Sequence, residues 1–141
     1  MTPAEARQRF ISARLARLAT ADAGGRPHLV PIVFAVDGDV VYSAVDHKPK
    51  RTTALRRLAN IAENPAVALL VDYYDDDDWS RLWWARADGT GRVVAAGSDE
   101  HQRAVSGLIN RYVAYAEQPP VGPVLAIDVW RWSGWSSDGA V

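Results

Sequence analysis

The residues best suited to chemistry lie in one short stretch, Lys48-Pro49-Lys50-Arg51-Thr52-Thr53, where three cations precede two threonines able to cap a helix. The first backbone N–H groups of a helix lack partners and the helix dipole is positive there, so an anion is favoured. Lys48, Lys50 and Arg51, with a helix opening at Thr52, therefore form a candidate phosphate cradle built on charge-assisted hydrogen bonds. A solvated basic loop accounts for the same residues, and spacing alone leaves both readings open. Arg56 and Arg57 are read as exposed helix positions. The second candidate is Trp79-Ser80-Arg81-Leu82-Trp83-Trp84-Ala85-Arg86. Alternate strand residues face opposite sides, so Leu82 and Trp84 share one face, Arg81 and Trp83 the other. Trp79 stands at the strand's mouth, beside the acidic run Asp75 to Asp78, and reads as a stacking wall for a flat ring. Core or subunit-interface packing is the other reading of these tryptophans.

Other chemistries find no support. His28, His47 and His101 are widely separated, and no His-Glu-x-x-His spacing exists, so no metal is expected. The four aspartates read as a solvated loop of like charge. No G-x-S-x-G elbow, phosphate loop or dinucleotide fingerprint is present, and Gly89-Thr90-Gly91 reads as part of a hairpin turn. The net charge of −1 argues against a nucleic-acid or membrane-surface binder. There are no cysteines, which excludes disulfides and thiolate metal sites. No apolar run approaches the roughly 20 residues of a membrane span, and the first residues hold no signal core. A cytoplasmic location is expected.

These residues must be held by a scaffold of 141 residues with 48% apolar content, the size of one domain spanning 1–141. Thr2-Pro3-Ala4-Glu5 opens a helix with a capping box, running to Ile11 or Ser12. Leu15 to Thr20 and His28 to Val36 read as strands around Asp22-Ala23-Gly24-Gly25, with Pro31 forcing an edge or a bulge. Asp37-Gly38-Asp39 turns the chain into a strand over Val40 to Ala44. A helix capped by Thr52 or Thr53 presents Leu55, Leu58, Ala59 and Ala62 on one face and stops at Asn64-Pro65. Ala66 to Tyr73 is a buried strand. Ser80 to Ala87 and Arg92 to Ala96 read as a hairpin around Asp88-Gly89-Thr90-Gly91. Ser98 caps a long helix with Val105, Leu108, Ile109, Tyr112, Val113 and Ala116 on its apolar stripe. Val124 to Trp132 is the last strand. Short antiparallel connections dominate, so an α+β fold is expected, mainly β: an antiparallel split β-barrel flanked by helices.

Taken in order, several pieces resemble the coenzyme F-420-dependent, actinobacterial branch of the pyridoxamine-phosphate-oxidase-like split barrels. They are Arg17-Leu18-Ala19-Thr20 leading into Gly25-Arg26-Pro27-His28-Leu29-Val30-Pro31-Ile32, the Lys48-Pro49-Lys50-Arg51-Thr52 loop, Asn64-Pro65 before Val67 to Asp72, and Trp79 with the strand ending at Gly89. The resemblance implies a homodimer with each cofactor in a groove between subunits. It implies that His28, Val30, Pro31 and Ile32 line the ring through backbone groups, that Lys48, Lys50, Arg51 and Thr52 hold a phosphate-bearing tail, and that Trp79 approaches the ring. It implies a reductase of a small conjugated substrate, the final proton coming from solvent or a tyrosine such as Tyr73. FMN as the cofactor, or a non-catalytic protein that stores a cofactor or binds haem, are the alternatives.

Overall fold

This computed structural model describes residues 1–45 and 51–137, with the backbone only for residues 51–55. Helix α1 (Pro3–Ser12) is followed by β1 (Ala16–Ala21), β2 (Pro27–Ile32), β3 (Ala35–Asp37), β4 (Val40–Ala44), α2 (Arg51–Glu63) and β5 (Ala66–Tyr73). A 3-10 turn at Trp79–Arg81 leads into β6 (Trp83–Val94), then α3 (Asp99–Arg111), α4 (Val113–Glu117) and β7 (Val124–Ser136). The strands form one antiparallel sheet in the order β2-β1-β5-β6-β7-β4-β3. Only Val33 and Phe34 separate β2 from β3, yet these strands occupy opposite ends of that order. Three trans peptide links reach about 11 Å. The edges of a flat seven-stranded sheet would stand about 29 Å apart at about 4.8 Å per strand. The sheet must therefore curl until its ends meet, and the result is the expected antiparallel split barrel with flanking helices.

Side chains alternate between the barrel interior and its outer face. Leu18, Leu69, Val71 and Ile127 are wholly buried inside, and Phe10 of α1 plugs the barrel against Phe34 and Trp132, with ring centroids 4.9 and 5.3 Å away. The capping box that starts α1 is present: Glu5 N–H donates to Thr2 Oγ1 (3.2 Å) and Thr2 N–H to Glu5 Oε2 (2.7 Å). On the outer side, Ala104 and Leu108 of α3 pack on Tyr42, Ala44, Val124 and Ala126. With both faces of β7 covered here, Val124-Leu125-Ala126-Ile127 is apolar without alternation.

Several expected elements differ. The strand over His28 to Val36 is broken at the crossover, although Pro31 does lie on an edge strand. The hairpin expected around Asp88 to Gly91 is absent, because β6 runs straight through it. A Cβ on Gly89 would stand 2.5 Å from the Asp128 carbonyl oxygen, and one on Gly91 3.2 Å from Ile61 of α2. These glycines thus serve close approach by a neighbouring strand and helix, not a turn. At the same level β7 bulges, with Asp88 opposite Arg131 and Gly89 opposite Val129, leaving Trp130 as the extra residue. Helix α2 begins at Arg51, so Thr52 and Thr53 fall within its first turn. It buries Arg57, Asn60 and Ile61, while Ala59 and Ala62 are exposed. Asn60 tolerates burial because its Nδ2 donates to Thr20 Oγ1 at 3.0 Å. The last long helix breaks at Tyr112, and Val113 is exposed.

That break has a cause in the crossover. Phe34 is buried and its backbone leaves the sheet, so its polar groups need other partners. The Tyr112 hydroxyl accepts from Phe34 N–H at 3.1 Å and faces the carbonyls of Phe34 and Arg14, both at 3.0 Å. Replacing Tyr112 with phenylalanine strands the Phe34 N–H and is expected to cost about 1–3 kcal/mol. The check is a lower urea midpoint at unchanged slope.

Helix α3 is fastened by a charged fork. Arg92 donates to both Glu100 oxygens (2.6 and 2.7 Å) and to Asp128 (2.7 and 3.1 Å), while Tyr42 donates to Glu100 Oε2 at 2.8 Å. The Arg92 hydrogen bonds, then that of Tyr42, pull the Glu100 carboxyl down to about 2; burial, then Glu100, pushes Tyr42 up to about 12. A lowered acid contributes stability above its unfolded value near 4.5 that is lost as pH falls towards 2. Glu100→Gln is expected to lower stability by about 1–2 kcal/mol at pH 7, the site being partly solvated. Urea unfolding from pH 7 to 2.5 should show the gap to wild type closing below pH 4.5.

Candidate functional site

The outer face of the stretch β2-β1-β5-β6-β7 forms an open cleft of about 660 Å³. Its shape follows from register. Leu29, Ala19 and Ala68 lie in one cross-strand row, and Asp72, Trp84 and Trp135 in another. The two alanines leave a low floor, and Leu70, Tyr73, Trp84 and Trp135 stand around it. Arg17 pairs with Asp72 at 3.2 Å, both about half exposed, so the pair orients side chains more than it stabilises the fold. Arg86 is held by Asp88 at 3.1 Å and lies 5.8 Å from the Trp84 ring centre. Large apolar groups remain in water: Leu29 is 67% exposed and Trp135 47%. A contiguous patch of this kind marks a surface for a ligand or a partner.

Of the residues singled out in the sequence, Lys48 and Lys50 lie outside the described residues, and the side chains of Arg51 and Thr52 are likewise not described. The backbone of Arg51 and Thr52 forms the first turn of α2. His28 and Val30 share the inner face of β2 with buried Ile32, and Pro31 is on the outer face. Atom Nδ1 of His28 is buried without a hydrogen-bond partner among the described residues. None of these four side chains lines the cleft; their neighbour Leu29 does. As the edge strand, β2 pairs only with β1, so the backbone N–H and C=O groups on its other side are unused by the sheet. Trp79 opens the 3-10 turn, is 65% exposed, lies outside the lining of the cleft, and its carbonyl accepts from the Ser137 hydroxyl.

The acidic run is more ordered than a solvated loop of like charge. Asp75 accepts from the N–H groups of Asp77 (2.9 Å) and Asp78 (3.2 Å) and pairs with Arg81 at 3.2 Å. Asp78 caps the 3-10 turn, accepting from Ser80 N–H and Oγ, and those bonds lower its carboxyl below the usual range. Ala19, Ala68, Leu70 and Trp135 escaped the sequence reading, while Leu29 lies within the stretch around His28 to Val33 that the resemblance places at the ring. Trp83 and Trp84, for which the sequence left packing as the other reading, both line the cleft, and Trp83 also packs against the core.

The family model for pyridoxamine 5'-phosphate oxidase matches residues 2–136. The chain belongs to that family. Solved structures share the fold of this pyridoxamine 5'-phosphate oxidase family member at low identity. A conserved hypothetical protein from Mycobacterium tuberculosis is 22% identical, with a TM-score of 0.70 over 97% of this chain and 86% of the other. HutZ, the haem storage protein from Vibrio cholerae, is 17% identical, with a TM-score of 0.69 over 94% and 90%. An FAD-binding protein from Mesorhizobium loti is 20% identical, with a TM-score of 0.65 over 95% and 94%. No curated protein matches the chain significantly. Among the described residues, no helix is long and apolar enough to cross a membrane.

Proposed function

We propose that this member of the pyridoxamine 5'-phosphate oxidase family is a coenzyme F-420-dependent oxidoreductase that reduces a small conjugated organic substrate. In this reading residues 1–141 form one cofactor-binding domain, and the protein works in the cytoplasm as a homodimer. The observation that carries the reading is the concave, aromatic-walled cleft on an uncovered sheet face, beside an edge strand with unused backbone groups. A flat ring suits such walls, and the alternate backbone groups of β2, the strand of His28, Val30, Pro31 and Ile32, that point away from β1 suit its polar rim. Lys48, Lys50 and Arg51 precede or open α2, and with Thr52 they suit an anionic tail at a helix amino end. Trp79, exposed on its turn, is the residue offered to the ring's other face.

The reduced deazaflavin, when bound, supplies the hydride. The chain contributes position: the cleft holds a substrate close to the transfer atom. Tyr73 lines the cleft and carries a hydroxyl that can return the final proton, with solvent as the other source. Two sharers of the fold favour alternatives. The FAD-binding protein from Mesorhizobium loti supports a flavin, FMN, in place of the deazaflavin, and HutZ supports a non-catalytic haem or cofactor store.

Purified protein titrated separately with F-420, FMN and haem at fixed salt tests these readings. F-420 is expected to bind most tightly, and Lys50→Ala to weaken it roughly tenfold to a hundredfold, the loss of one charge-assisted contact. Tighter FMN binding moves the assignment to a flavoprotein, and tight haem binding without redox turnover to a store. The assembly is tested by light scattering. Twice the 15.4 kDa chain mass is expected at micromolar concentration, and Leu29→Asp on the apolar face should shift the protein towards monomer. A monomeric wild type removes the two-chain groove.

A further inference from the structure

A second cleft, of about 360 Å³, adjoins the first and differs from it in charge. It is lined by Arg9 from the last turn of α1 and by Ser80 and Arg81 from the 3-10 turn. Tyr73, Leu82 and Trp83 line both clefts, so the two are continuous along one aromatic wall. Each arginine is laid over a ring: Arg9 stands 5.0 Å from the Trp83 centroid and Arg81 5.5 Å from that of Tyr73. Their hydrogen bonding is unequal. Arg81 is committed in part to Asp75. Asp75 in turn is occupied by Arg81 and two backbone N–H groups, so it leaves no charge to neutralise a second cation. The guanidinium of Arg9 has neither a carboxylate nor another hydrogen-bond acceptor among the described residues. An aromatic face holds its planar fork of five N–H donors, which meet no acceptor among the described residues.

We infer that this second cleft is a carboxylate subsite that takes the anionic end of a planar conjugated molecule whose apolar body lies in the larger cleft. A guanidinium already stacked on a ring loses little rotamer freedom when it forks onto a carboxylate, which favours the pair over one made by a free surface arginine. Arg81, paired with Asp75, brings further N–H donors to the same cleft, and Tyr73 and Trp83 border both clefts. The binding claim needs no cofactor. Its extension, that the reducible substrate is a conjugated acid, rests on the redox reading above.

The test is calorimetric titration of the purified protein, without added cofactor, with cinnamate and with its neutral isostere cinnamamide. Cinnamate is expected to bind at least tenfold more tightly. Arg9→Gln should erase that preference while leaving the amide unchanged, Arg9→Lys should keep part of it, and raised salt should weaken the acid alone. Arg9 is exposed, so a urea midpoint equal to wild type is expected for both variants and secures the comparison. Equal affinity for acid and amide overturns the proposal, as does an acid preference that survives Arg9→Gln and Arg81→Gln. Absence of redox turnover alongside an intact acid preference counts against the oxidoreductase reading and leaves the subsite standing.

Discussion

Val33 and Phe34 carry the chain from one end of a seven-stranded sheet to the other, and most of the architecture follows from that short passage. It obliges the sheet to close. It also takes a buried backbone out of any ladder, which the Tyr112 hydroxyl repairs. Around this point three distant parts of the chain converge. The Phe34 ring packs on Phe10 of α1, the Arg111 guanidinium lies 4.9 Å from its centre, and Arg111 donates to the carbonyl of Ala13 at the end of α1. Tyr112 leaves the helical conformation (φ −126°, ψ 123°) where its hydroxyl meets the crossover, and α4 starts afresh.

The sequence was legible where a signal is local. The Thr2–Glu5 capping box, the Ser98 cap, the turn at Gly38 and the edge position of Pro31 all rest on a residue acting on its immediate neighbours. It misled where the cause is tertiary. Gly89 and Gly91 have the composition of a turn, yet they are small because Asp128 and Ile61 press against them. Asn60 and Arg57 look like solvent positions, yet α2 turns them inward; for Asn60, the hydroxyl of Thr20 makes burial tolerable. The same division holds for the clefts. Alternation set Trp83 and Trp84 on opposite faces, yet both border the larger cleft, and Ala19, Ala68 and Leu29 become neighbours only once the register of separate strands is known.

The two clefts divide one continuous surface by chemistry. The larger is floored by alanine and walled by aromatic rings, and the charges at its margin are paired with one another. The smaller carries a guanidinium that no carboxylate among the described residues pairs with. The acidic run acts as a brace: Asp75 and Asp78 spend their oxygens on the loop that presents Trp79 and Arg81. A stretch that looks in sequence like surplus charge is therefore what gives the loop its shape.

Among the described strands, every neighbouring pair in the barrel wall is stitched by hydrogen bonds except along one line. β2 and β3 are joined through the chain but not through a ladder, and each keeps one margin without a strand partner. A cylinder with a single open seam can change its girth there without severing a rung, whereas widening it anywhere else would break a full row of bonds. Phe34, clasped by Tyr112 at the head of that seam, acts as its clasp pin. That open seam runs along β2, the edge strand whose Leu29 lines the larger cleft.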